Sequence, residues 1–152
     1  MNPIDMPKFI ELFKSINKYD QSNGLNFEIP SPGTVIYKMK IADQHLSVAE
    51  VAHGACIAGF MDCVLGLAAL SEAVTRGSLT ATVEFKINFI RPAKLGEELI
   101  GTGKVVHKGK SLLISSGEIR TAAGDLVAMG QGTFNNYPMN KKDFLNEYFA
   151  NG

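Results

Sequence analysis

The sequence predicts an α+β fold, an antiparallel sheet wrapped around one long central helix. Three observations carry this. Residues 54–70 form an almost wholly apolar or small-residue run. Residues 79–91 alternate apolar and polar side chains, and three more strand-like stretches follow, separated by turn residues. The chain has 152 residues, the length of one domain with one core.

Taken in order, residues 6–19 place Phe9, Phe13 and Ile16, with Ile10 and Leu12 beside them, at helical spacing, and Pro7 suits a first turn. Residues 20–33 hold Asn23-Gly24 and Pro30-Ser31-Pro32-Gly33 and read as turns. Thr34 to Ile41 is a strand with Val35, Tyr37, Met39 and Ile41 on one face, followed by a polar loop over 42–47. A helix over about 54–75, hydrophobic nearly all round, belongs in a core, and Gly77 ends it. In the next strand Leu79, Ala81, Val83, Phe85, Ile87 and Phe89 share one face, opposite Thr80, Thr82, Glu84, Lys86 and Asn88, until Arg91-Pro92 stops it. Strands over 97–107, 111–121 and 126–135 complete an antiparallel meander, and residues 140–149 form a short terminal helix. One helix covers one face of about five strands, in a single domain over 1–152 with an N-terminal helix.

Fifteen basic and fifteen acidic residues give zero formal charge, with no Lys/Arg-rich run, so no nucleic-acid partner is expected. Local basic patches remain able to meet a phosphorylated ligand. Cys56 and Cys63 stand seven apart, on one helix face about 10 Å from each other, too far for a disulfide. Two reduced thiols favour a reducing compartment, and the N-terminus has no apolar signal region, so the expected location is cytoplasmic. The apolar run carries Asp62 at its centre, where a bilayer would charge about 2.5–3.5 kcal/mol, so no membrane partner is expected.

Between Glu50 and Glu72 the only acid is Asp62, set among Phe60, Met61, Val64 and Leu65. A buried carboxylate costs free energy unless it is paired. It is either a structural group bonded to a backbone or hydroxyl partner, or a general base or nucleophile in an apolar pocket; residue type does not decide. At the helix start stands His53-Gly54-Ala55. A helix N-terminus has unpaired N–H donors and partial positive charge, suited to a developing oxyanion, although a plain helix start with His53 as cap reads the same residues. Gly54 and Asp62 are eight residues, about 12 Å, apart along one helix. One carbonyl cannot reach both in one chain, so joint action requires a two-fold homodimer with composite sites.

His53-Gly54-Ala55, Asp62 nine positions after the histidine, and the strands from Thr82 to Phe134 resemble the hotdog-fold acyl-CoA thioesterases of the phenylacetate-pathway (PaaI-like) type. The resemblance covers about residues 34–135. It implies hydrolysis of a thioester to free acid and CoA. Asp62 would activate water or attack the carbonyl carbon, the N–H of Gly54, with that of Ala55, would polarise the carbonyl oxygen, and His53 would shape that end. Thr82 falls at a Ser/Thr position that helps hold the water. Arg91 and the turn Lys108-Gly109-Lys110 would lie near the CoA phosphates, unless they are ordinary solvated charge. No metal and no separate cofactor is implied, CoA being part of the substrate, and the expected assembly is a homodimer within a tetramer.

Two positions depart from the family. Ala55 replaces a second glycine, and Ser47 replaces an asparagine that holds water. Glu50 stands where a small residue is common. Hydratases of the same fold use other patterns, absent here, and an acyl-CoA sensor would need an added DNA-binding segment. The alternative is a non-catalytic acyl-CoA-binding hotdog protein.

Overall fold

The computed structural model describes residues 4–140. The expected terminal helix over 140–149 lies almost wholly outside them. Helices α1 (Met6–Ile16) and α2 (Lys18–Asn23) come first, then strands β1 (Asn26–Ser31) and β2 (Thr34–Lys40). Helix α3 (Gly54–Val74) follows, then β3 (Ser78–Phe89), β4 (Glu98–Lys108), β5 (Leu112–Thr121) and β6 (Leu126–Pro138). The six strands form one antiparallel sheet in the order β1-β2-β4-β5-β6-β3.

Three expectations change. The first helix breaks at Asn17, whose side chain accepts the Asp20 N–H at 3.1 Å and caps α2. The turn-rich segment 20–33 holds β1, so the sheet has six strands, not five. The meander is limited to β4, β5 and β6: β3 crosses the molecule to pair with β6, and β2 occupies the other side of β4.

Helix α3 lies across one face of the sheet, packed on β2 to β6. By length and composition it could span a membrane, with a mean hydropathy of 1.8. Its Phe60, Met61, Val64, Leu65 and Ala68 are instead buried against Val35, Met39, Leu99, Leu113 and Ile119 of the sheet. Glycines on β4 let the helix approach: a Cβ on Gly103 would stand 2.7 Å from the Val64 carbonyl oxygen.

The alternation of β3 is broken where it matters. Thr82 pairs with Phe134 and Glu84 with Thr133, so Val83 is an extra residue, a β-bulge. The bulge reverses side-chain parity. Thr80 and Thr82 before it, and Phe85 and Ile87 after it, all face the helix side. Thr82 therefore does not share a face with Glu84, Lys86 and Asn88, which line the opposite side of the sheet.

Candidate active site

Asp62 stands mid-way along α3, half-buried and beside β3. The bulge turns Thr82 toward it, and Thr82 Oγ1 donates to Asp62 Oδ1 at 3.0 Å. Asp62 Oδ2 accepts no hydrogen bond among the described residues. The carboxylate opens on a cavity of about 200 Å³ whose walls include Phe13, Tyr37, Leu67, Thr82 and Phe134. A hydroxyl-steadied carboxylate with one free oxygen, facing an apolar chamber, can take a proton from a water held there.

The second cluster lies at the start of α3. His53 is the N-cap, and its Nδ1 accepts the Ala55 N–H at 2.9 Å. Within the chain that bond occupies the Ala55 N–H, the second donor expected to polarise a carbonyl. It also assigns the His53 proton to Nε2. The Gly54 N–H has no partner among the described residues. A Cβ on Gly54 would meet only the Phe89 ring, at 3.8 Å, an ordinary contact, and its φ is not in the left-handed region. The chain's own fold therefore does not demand glycine here; a group approaching from outside would.

The preceding loop is tied down on both sides. Ser47 N–H donates to the Val51 carbonyl at 2.8 Å, His53 N–H to the His45 carbonyl at 2.8 Å, and Leu95 N–H to the Glu50 carbonyl at 2.9 Å. His45 is buried and its Nδ1 accepts the Ala42 N–H at 2.9 Å. Ala49 and Glu50 carry φ of 52° and 59°, a left-handed region costly for residues with a Cβ. Glycine would adopt this conformation without strain. Ser47 is exposed and belongs with the Gly54 cluster.

The predicted catalytic residues thus fall into two groups, Asp62 with Thr82, and Ser47 with His53, Gly54 and Ala55. Helix α3 is continuous from Gly54 through Asp62, which holds the groups about 12 Å apart in one chain.

The predicted CoA-contacting cations do not cluster. Arg91 Nη1 and Nη2 donate to Glu97 at 3.3 and 3.0 Å, just before β4 begins. That guanidinium holds the Glu97 carboxyl below its ordinary range. Lys108 ends β4, roughly 33 Å away at strand rise, with its Nζ 2.9 Å from Glu72. Arg91 is therefore not near the Lys108-Gly109-Lys110 turn within a chain. Gly109 serves the hairpin: a Cβ there would stand 2.7 Å from the Leu112 carbonyl oxygen. The Lys110 side chain is exposed, and its Nζ has no partner among the described residues.

Several site residues were missed from the sequence. Tyr37 Oη donates to Asp20 Oδ2 at 2.7 Å, with both side chains buried, and Cys63 Sγ lies 3.9 Å from Asp20 Oδ1. Burial pushes the Asp20 carboxyl above its ordinary range and the Cys63 thiol well above its own. Tyr19 lies over Gly59, one turn before Asp62, where any Cβ would collide with its hydroxyl. A tyrosine on the buried face of β2 was the available signal, since a buried phenol needs a partner. A larger depression of about 800 Å³, with Thr34, Glu84, Lys104 and Glu118 on its walls, lies on the sheet's other face and holds none of these residues.

The chain is similar to known proteins in sequence and in fold. A family model described as Thioesterase superfamily matches residues 49–128. Human acyl-coenzyme A thioesterase 13 is 34% identical over 104 residues, 68% of this chain and 73% of that protein. The PaaI protein from the phenylacetic acid degradation operon of E. coli has the same fold, with a TM-score of 0.80 at 20% identity over 87% of this chain and 93% of that one. A hypothetical thioesterase protein of Streptococcus pneumoniae, solved with coenzyme A, also shares the fold, with a TM-score of 0.75 at 22% identity over 84% and 98% of the two chains.

Proposed function

The chain belongs to the thioesterase superfamily, and from that premise we propose that it hydrolyses acyl-coenzyme A thioesters at sites shared between two copies of itself. The observation that carries the reading is the Asp62–Thr82 pair beside a largely apolar hollow. Thr82 fixes Asp62 Oδ1, and Oδ2 takes a proton from water. The water oxygen bonds to the thioester carbon, and the carbonyl π pair moves onto oxygen. Collapse of that intermediate re-forms C=O and breaks C–S, and the departing CoA sulfur receives the proton from Asp62.

The oxyanion is met by the Gly54 N–H of the other copy, at a helix end whose dipole favours negative charge. His53 caps that end and holds Ala55 in place. Ser47, exposed on the same loop, would help position the water.

The edge strands support a two-fold assembly through β3. β1 is six residues long and contains Pro30, a protected edge. β3 has twelve residues and, among the described residues, pairs only on its β6 side, with Val83 and Phe89 59% and 55% exposed. An unprotected edge of that length invites a second strand. Lys110 is the cation best placed to meet a CoA phosphate, because Arg91 and Lys108 already face carboxylates. The free thiols of Cys56 and Cys63 accord with a cytoplasmic enzyme. Release of free CoA thiol from a panel of acyl-CoAs tests the reading; no release from any member contradicts it.

A further inference from the structure

The helix start that presents the Gly54 N–H is exposed, yet one buried polar side chain stands behind it. His45 is 3% exposed and ends the single helical turn Asp43–His45, between β2 and the loop that leads into α3. Its Nδ1 accepts the Ala42 N–H at 2.9 Å, and its own N–H donates to the Ala42 carbonyl at 3.0 Å. These two bonds close the turn on itself. The imidazole proton then lies on Nε2, which meets no acceptor among the described residues.

A chain of hydrogen bonds runs through His45 from the sheet to α3. Ile41, next to Ala42, donates its N–H to the Glu97 carbonyl and accepts the Gly96 N–H, each at 2.9 Å, which ties the turn to the residues just before β4. The His45 carbonyl accepts the His53 N–H at 2.8 Å. On its other side His53 is held by its own ring, whose Nδ1 accepts the Ala55 N–H. The planar peptide that carries the Gly54 N–H joins His53 to Gly54, so its direction follows from the two backbone dihedrals of His53. His45 and the cap fix these from either side, at φ −64° and ψ 140°. The bonds from Ala52 N–H to the Ala93 carbonyl and from Leu95 N–H to the Glu50 carbonyl stop short of His53.

We propose that His45 is a positioning residue for the reaction: its buried imidazole closes the turn that holds His53 and so aims the Gly54 N–H at the oxyanion. The proposal rests on the oxyanion role read for Gly54. The ring atom that does this is Nδ1. A misaimed donor weakens the transition state, where the negative charge develops, and leaves the bound substrate little changed. A displacement of about 1 Å costs on the order of 100-fold in rate.

Three substitutions separate the two ring nitrogens. In His45→Asn the side-chain oxygen takes the place of Nδ1 and accepts the Ala42 N–H. In His45→Gln the polar atoms reach the Nε2 position instead, and His45→Leu fills the space with neither. The experiment measures kcat and KM per folded molecule with acetyl-, hexanoyl-, benzoyl- and palmitoyl-CoA, and follows exchange of the Ala42 and His53 amide protons by NMR. His45→Leu and His45→Gln should lower kcat about 10- to 100-fold with KM within about threefold, and should speed exchange at both amides at least tenfold. His45→Asn should keep kcat within about threefold of the wild type and keep both amides protected. If one of the first two does not fold, the other carries the comparison. Unchanged kcat in either, or a rise in KM with kcat held, overturns the proposal while thioester hydrolysis stands. So does a His45→Asn protein that loses as much as His45→Leu or fails to fold, because Nδ1 is then not the atom that matters. Failure of both His45→Leu and His45→Gln to fold makes His45 a residue of stability alone and also overturns it. A wild type that hydrolyses none of the four thioesters overturns the thioesterase reading and this proposal together.

Discussion

Thr82 Oγ1 donates to Asp62 Oδ1 at 3.0 Å, from an edge strand to the central helix, and the Val83 bulge makes this bond possible. Without the extra residue, Thr82 would face away from the helix whenever Phe85 and Ile87 faced it. The bond orients the carboxylate and leaves one oxygen for water.

Asp62→Asn should lower kcat by about three orders of magnitude or more, because an amide of the same shape does not accept the proton. Thr82→Val, which keeps shape and removes the donor, should cost about 10- to 100-fold in kcat with little change in KM. Steady-state kinetics on one acyl-CoA rank the two; an equal or larger loss from Thr82→Val would move the essential proton transfer to the hydroxyl.

The two lysines of the β4–β5 turn should separate. Lys108 faces the buried Glu72 at 2.9 Å, so Lys108→Ala should lower stability by about 0.5–1 kcal/mol in urea titrations and leave KM unchanged. Lys110→Ala should leave stability unchanged and raise KM for acyl-CoA, more at low salt than at high. A KM effect from Lys108 alone would reverse their roles.

Glu50→Gly should stabilise the protein by about 0.5–1 kcal/mol. The φ of 59° costs a non-glycine residue about 1–2 kcal/mol, offset by the larger unfolded entropy of glycine. Urea midpoints check the sign, and a destabilised Glu50→Gly would mean that the Glu50 side chain makes a compensating interaction.

Asp20 predicts a pH dependence. Burial raises its folded pKa above the unfolded value of about 3.9. Its contribution to stability is then fully present below the unfolded pKa and is lost as pH rises through the folded one. Asp20→Asn removes that loss and keeps an acceptor for Tyr37. Urea midpoints between pH 4 and pH 7 should therefore show the variant gaining on the wild type as pH rises. Parallel profiles would show that Asp20 ionises as it does in the unfolded chain.

What the sequence reveals follows from how local each signal is. The central helix is legible because residues 54–74 are apolar nearly all round, and Asp62 because it is the only acid between Glu50 and Glu72. β1 is hidden because Asn23-Gly24 and Pro30-Ser31-Pro32-Gly33 bracket it with turn residues. The bulge is hidden because Thr82-Val83-Glu84 keeps the polar–apolar alternation intact. The Tyr37–Asp20 bond joins residues 17 apart through helix docking, which no periodicity encodes. The distance between Arg91 and Lys108 follows from the Arg91–Glu97 pair, which ties Arg91 to the opposite end of β4.

The most direct test of the shared site uses two inactive variants, Asp62→Asn and Gly54→Val. The valine fits beside Phe89 in its own chain yet covers the Gly54 N–H. Unfolded together in equal amounts and refolded, about half of random dimers are mixed. In each mixed dimer one site carries both defects and the other neither. The account predicts return of roughly a quarter of wild-type activity, with each variant refolded alone remaining inactive. If a mass tag shows mixed dimers and no activity returns, Asp62 of one copy and Gly54 of the other do not share a site, and the account is contradicted.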